Sequence, residues 1–166
     1  MSEQFQDSKT SGIHYQLSRL AGNWEGNTKT WFEPDKLADE SPMRGQMQTI
    51  LDGRFIMHEY TGAFGDKPFS GIAIFGYDLA LQQFQGFWID SFHTGTAMMF
   101  STGSKGDHNL NVLGSYAYVT PEVEQHWGWR TSIEMVGDDE LVLTAYNITP
   151  EGDESKATET VYKRVK

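Results

Sequence analysis

The chain contains no cysteine. That excludes a disulfide framework, a thiolate nucleophile and any cysteine-held zinc or iron–sulfur site, and it fits a reducing compartment. Positive charge is also scarce. Lys and Arg number 13 against 23 Asp and Glu, a formal net charge of -10. This sign repels nucleic acid and anionic lipid, so neither a nucleic-acid nor a membrane partner is expected, and the charge serves solubility. No apolar run approaches the ~18 residues of a membrane-crossing helix. The opening Met1-Ser2-Glu3-Gln4-Phe5-Gln6-Asp7 has neither a basic nor an apolar leader region. Cytoplasmic location is therefore the expectation. Ser91 and Ser101 lack a Gly-x-Ser-x-Gly elbow, and Gly103-Ser104-Lys105-Gly106 lacks the spacing of a phosphate loop. Both absences count against a hydrolase elbow and nucleotide binding.

What is present is glycine, at 17 residues, and aromatic side chains: 5 Trp, 7 Tyr and 10 Phe. Glycines permit bends in a curved sheet and aromatics fill its interior. The 166 residues are enough for one domain with a real core. Residues 1–11 are polar and are expected to form a disordered tail, leaving 12–166 as a single domain. Ile13, Leu17 and Leu20 recur at helical spacing, so 12–20 reads as one short helix with Ser11 as its N-cap. From Trp24 the period changes to two. Strands are predicted near 23–32, 43–51, 54–63, 70–78, 83–91, 95–103, 109–118, 125–136, 140–148 and 156–165. Asp52-Gly53, Gly137-Asp138-Asp139 and Glu151-Gly152-Asp153 supply hairpin turns, and Pro34–Pro42 reads as an acidic connector. So many strands in an open sheet would leave aromatic-rich edges exposed, and closure removes them. The expected fold is all-β: a closed antiparallel barrel of about ten strands with one short N-terminal helix. A two-sheet sandwich is the alternative.

The Gly22-x-Trp24 entrance and the late Arg164 suit such a barrel. Glycine lets the chain bend into the first strand. Trp24 can plug one end, and the Arg164 guanidinium can lie over the indole, a structural role.

The order of several short motifs is more specific than any one of them. His14-x-x-Leu17-x-x-Leu20-x-Gly22-x-Trp24 is followed by Gly53-x-Phe55 and Gly76-Tyr77-Asp78. Phe84-x-Gly86-x-Trp88-Ile89-Asp90-Ser91 and Tyr162-x-Arg164 complete the series. The pattern resembles a bacterial lipocalin-like family catalogued as domain of unknown function 1579, from about His14 to Arg164. The resemblance implies a calycin-type barrel akin to lipocalins and fatty-acid-binding proteins. It implies no established reaction.

Candidate site residues follow from strand parity. Trp88 and Asp90 share one face, joined by Phe92 if the strand continues. A carboxylate beside aromatics on a largely buried strand must be paired or protonated. It can anchor a ligand, or hold Arg130 or Arg164. Glu59 shares parity with Phe55 and Met57, and His58 with Ile56 and Tyr60, so only one set faces inward. An interior cluster of Glu59, Asp90, Arg130 and Tyr162 is one arrangement; an exposed Arg130–Glu134 pair is the other. His14, His58, His93, His108 and His126 form no His-x-x-x-His or His-Glu-x-x-His motif; Asp90-x-x-His93 with His58 or His126 could ligate a metal only on neighbouring strands, and no metal or other cofactor is expected. Met43, Met47, Met57, Met98 and Met99 can line an adaptable pocket, or be ordinary core. Three functions stand in this order. The first is binding of a small hydrophobic or amphipathic molecule by Trp88, Asp90, Glu59, Arg130 and Tyr162. The second is an isomerase or hydrolase using Asp90 or Glu59 as general base. The third is a filled barrel that self-associates as a homo-oligomer through outer aromatics.

Overall fold

The computed structural model describes residues 2–166. Two short helices, α1 (Glu3–Ser11) and α2 (Ile13–Arg19), precede ten strands. These are β1 (Gly22–Glu33), β2 (Lys36–Ile50), β3 (Phe55–Phe64), β4 (Lys67–Asp78) and β5 (Gln83–Asp90). They continue as β6 (Met99–Gly103), β7 (Leu110–Val119), β8 (Glu124–Met135), β9 (Glu140–Ile148) and β10 (Glu154–Arg164). Each strand pairs with its neighbours in sequence, and β1 pairs with β10 to close an antiparallel barrel. Closure leaves no sandwich edge. Among the described residues no helix is long and apolar enough to cross a membrane.

The N-terminus departs from the expected tail. Residues 3–11 form a helix, so the barrel has two helices before it and not one. Ser2 accepts from the Phe5 N–H, Glu3 lies in the first turn and Lys9 in the last, all of which favour a helix at this polarity. Docking does the rest. Phe5 is buried edge-on against His14, with the Arg54 guanidinium over its other side, and Ser8 Oγ lies 2.8 Å from His14 Nδ1. Ser11 belongs to α1, and Gly12 opens α2 without a side-chain cap. Gly12 is required by proximity: a Cβ there would stand 2.8 Å from Ser8 Cα.

Two strands also differ from the sequence reading. β2 begins at Lys36, inside the acidic connector, because 36–42 pair with the end of β1 around a turn at Asp35. Polar side chains are tolerated because this stretch precedes the pairing of β2 with β3 at Met43, and Pro42 falls in that less constrained part. Conversely, the strand expected from residue 95 begins only at Met99, and 91–98 form a loop. The chain turns after Asp90, whose Oδ1 accepts the N–H groups of Phe92, His93 and Thr94. A carboxylate that satisfies successive backbone donors offers an alternative to the ladder, and here the turn wins.

The barrel has one sealed end. Ile13, Leu17 and Leu20 bury against Trp24, Phe84, Leu110 and Leu141. Trp24 is 1% exposed and donates from Nε1 to the Leu20 carbonyl. Arg164 lies 4.2 Å over the indole and donates to the carbonyls of Ala21, Arg19 and Asp138. One guanidinium thus ties the last strand, the end of α2 and the β8–β9 turn together. The opposite end carries the turns after β1, β3, β7 and β9 and the long 91–98 loop.

Candidate functional site

The inward faces of neighbouring strands alternate large aromatics with the smallest residues. In one row, Tyr60 of β3 faces Gly71 of β4, which faces Asp90 of β5. In the next, His58 faces Ala73, which faces Trp88. The small residues let side chains from β3 reach those from β5. At Gly71 a Cβ would lie on the Tyr60 ring and the Asp90 Cβ alike. The result is an interior polar chain. Trp88 Nε1 donates to Tyr60 Oη at 2.6 Å, and Tyr60 Oη donates to Asp90 Oδ2 at 3.1 Å. The same Oδ2 lies 2.6 Å from His93 Nδ1.

The Asp90 side chain is wholly inaccessible to solvent. Burial pushes its carboxyl up, but the hydrogen bond and charge of His93 and the N–H groups of Thr94 and His93 more than offset this. The carboxyl therefore lies below the usual carboxylate range and is ionised at neutral pH. Tyr60 is its complement: burial and the adjacent Asp90 charge push the phenol well up, so it stays a donor. Deeper in the barrel, His58 Nε2 lies 3.3 Å from Tyr162 Oη. Burial alone pushes His58 down to about 4 and raises Tyr162. Gly45 makes room for this pair, since a Cβ there would stand 2.5 Å from His58 Nε2 and 2.8 Å from Tyr162 Oη.

Most of these groups border one or both of two adjacent spaces that share wall residues. The inner cavity, about 80 Å³, is lined by His58, Tyr60, Phe69, Trp88, Trp129 and Tyr162 among others. An outer cleft of about 440 Å³ lies at the open end beside Tyr116, Trp31 and Met98. Trp88, His93, Met99 and Trp129 border both. Trp88 and Trp129 stack at 5.3 Å at this junction. Phe92 closes one side by stacking on Phe64 and Phe69. No Lys, Arg, Asp or Glu lines either space.

The candidate residues separate accordingly. Trp88 and Tyr162 line the cavity, and Asp90 stands behind Tyr60 and His93. Glu59 is exposed on the outer face, because the parity of β3 turns Ile56, His58 and Tyr60 inward. Arg130 is also outside. It forms a two-pronged ion pair with Glu154 at 2.8 and 2.5 Å and lies 4.0 Å over Tyr146, so its partner is neither Asp90 nor Glu134. The interior cluster of four is thus reduced to Asp90 and Tyr162, which do not touch. Met43 and Met99 line the cavity, whereas Met98 is exposed at the cleft. Among the described residues no group of three or more His, Asp or Glu is placed to hold a metal ion.

His93 and Tyr60 are the members that sequence reasoning did not select as binding residues. The signal for Tyr60 was its parity with His58. For His93 it was Asp90-x-x-His93, a spacing that a turn, but no strand, folds into contact.

A solved structure shares the fold. Rv2717c from M. tuberculosis superposes with a TM-score of 0.62 at 12% identity, covering 94% of this chain and 99% of that one. A protein of unknown function from the DUF3598 family of Nostoc punctiforme gives a TM-score of 0.42 at 13% identity, covering 90% of this chain and 49% of that one. No curated protein matches the chain. Residues 9–164 match the family model described as protein of unknown function, DUF1579, and over that span, which holds the whole barrel and its aromatic interior, the chain belongs to this family.

Proposed function

We propose that this protein binds a small, uncharged, mainly apolar molecule inside a calycin-type barrel, admitted through the open end. The observation that carries the reading is the composition of the interior. An aromatic cavity adjoins a wider cleft across shared wall residues, and no Lys, Arg, Asp or Glu among the described residues lines either. Binding pockets are largely apolar with a few placed polar groups. A barrel serving only as a scaffold would fill this space with side chains.

Size narrows the ligand. A cavity of roughly 150 Å³ accepts benzene; the inner space, about 80 Å³, is smaller. A ligand of one or two rings therefore sits across the junction at Trp88 and Trp129. The absence of Lys and Arg disfavours fatty acids and other anions, whose carboxylate would enter unpaired.

Native mass spectrometry of protein purified from a cell extract tests this directly, with an uncharged small-molecule adduct as the expected result. Ala145 is 3% exposed and lines the inner space, so Ala145→Phe should fill it and abolish the adduct. Finding no adduct, together with no fluorine NMR response to p-fluorotoluene at millimolar concentration, would overturn the reading.

A further inference from the structure

We propose that His93, held by Asp90, selects ligands that carry a hydrogen-bond donor on an aromatic ring, phenols being the simplest class. The proposal rests on the cavity reading above and names the chemistry that the cavity would choose.

The argument begins with Asp90. Its carboxylate has no route to solvent and accepts five hydrogen bonds: three from backbone N–H groups, one from Tyr60 and one from His93 Nδ1. An ionised carboxylate only accepts. The proton between His93 and Asp90 therefore sits on Nδ1, which fixes the tautomer of the neutral ring and leaves Nε2 with a lone pair. Nε2 makes no hydrogen bond among the described residues. The ring itself borders both the cavity and the cleft.

Other polar groups in the wall do not impose such a choice. Thr28 and Thr160 hydroxyls satisfy each other at 2.6 Å, as His58 and Tyr162 do at 3.3 Å. The hydroxyls of Thr30 and Thr158 rotate and can give or take. Tyr60 already gives its proton to Asp90 and takes one from Trp88, so of the groups whose role a buried partner sets, His93 is the one that keeps a free acceptor. It accepts.

The surroundings specify what carries the donor. His93 packs 5.4 Å from Trp88, 5.9 Å from Trp129 and edge-on to Phe69 and Phe92. A flat ring laid against the Trp88–Trp129 stack meets aromatic faces on its body and the imidazole at its edge. With no cation in the wall, a phenolate or carboxylate is disfavoured and a neutral hydroxyl fits. Asp90 does not touch such a ligand. It is a positioning residue that acts through His93.

Two isosteric probes, p-fluorophenol and p-fluorotoluene, separate this proposal from the cavity reading. They differ in a hydroxyl against a methyl, and fluorine NMR titration gives both affinities at about pH 8, below the ordinary phenol range, so the hydroxyl keeps its proton. Apolar burial alone favours the toluene. The expected result is the reverse, with the phenol bound about tenfold tighter. His93→Phe keeps the ring and removes the acceptor, and should restore the preference for the toluene. A variant-free measurement runs in parallel: the Nε2 nitrogen shift of His93 should move with the phenol and stay still with the toluene. Toluene binding as tight as phenol, or an unmoved Nε2 shift on saturation with the phenol, overturns the His93 role and leaves the cavity reading intact. A phenol preference that persists in folded His93→Phe overturns it as well. If neither probe binds, the cavity reading falls and this inference falls with it.

Discussion

The two ends of the barrel each hold a tryptophan, and the two are used differently. Trp24 at the sealed end is enclosed by α2 and the core, and its indole N–H ends on a backbone carbonyl. Arg164 covers its face and has its own donors taken up by three carbonyls. Trp88 at the open end is only half-buried, and its N–H enters a chain of side chains that finishes on a loop. The first arrangement directs its polar groups onto backbone carbonyls of the framework. The second leaves free volume and an imidazole nitrogen with no hydrogen-bond partner among the described residues. A single protein thus separates rigid packing from an adaptable interior by assigning them to opposite ends of the same sheet.

The largest expected effect is at the sealed end. Trp24→Ala should cost about 3–5 kcal/mol, whereas Trp88→Ala should cost no more than about half as much and instead weaken probe binding. Urea midpoints for the two variants decide the matter, and equal losses would erase the distinction. Asp90→Asn comes next, at about 1.5–3 kcal/mol, since it weakens charge-assisted hydrogen bonds around a buried group. It should also loosen the 91–98 loop, read as faster amide exchange at Phe92, His93 and Thr94.

Acid provides the third test. His58 titrates at about 4 in the folded protein against 6.5 for the ordinary group. The unfolded chain therefore binds the extra proton first as pH falls. The stability held by neutral His58 is complete above pH 6.5 and is lost as pH drops from there toward about 4. By about pH 5 this amounts to roughly 2 kcal/mol. His58→Gln should remove that share of the acid sensitivity, as measured by urea midpoints at neutral pH and at the acid end. The smallest effect is expected outside the barrel. Glu59→Gln should change stability by less than about 0.5 kcal/mol and leave probe binding untouched. A clear loss of binding would return Glu59 to the site.

Strand parity explains how far the sequence could be read. Period two marked nearly every strand, because most inward faces are largely apolar and most outward faces largely polar, and it put Trp88 and Asp90 on one face. It could not choose which face of β3 or β8 points inward. Glu59 and His58 are equally polar by type, and the choice depends on Gly45 and Ala73, across the sheet, leaving room for an imidazole. Arg130 was misplaced for a related reason: its partner Glu154 lies two strands away across β9, a neighbour set by the pairing register of β8, β9 and β10. The 91–98 loop was hidden because its shape is dictated by one side chain's hydrogen bonds and not by any run of turn residues. Helix α1 was missed because its stability comes from docking Phe5 and Ser8, and a polar segment of nine residues shows little of that in advance.

The order of the strands has a consequence for how the molecule comes together. Nine of the ten pairings join segments adjacent in the chain, and these can form as successive hairpins. The tenth unites β1 with β10, and its clasp, Arg164 on the Ala21 carbonyl, spans 143 positions. Closing so long a loop carries an entropy cost that none of the nine local pairings faces. Until that last seam forms, the meander is an open ribbon with two free edges and no inside. The interior is therefore a property that no part of the chain possesses alone: it comes into existence all at once, when the final strand meets the first.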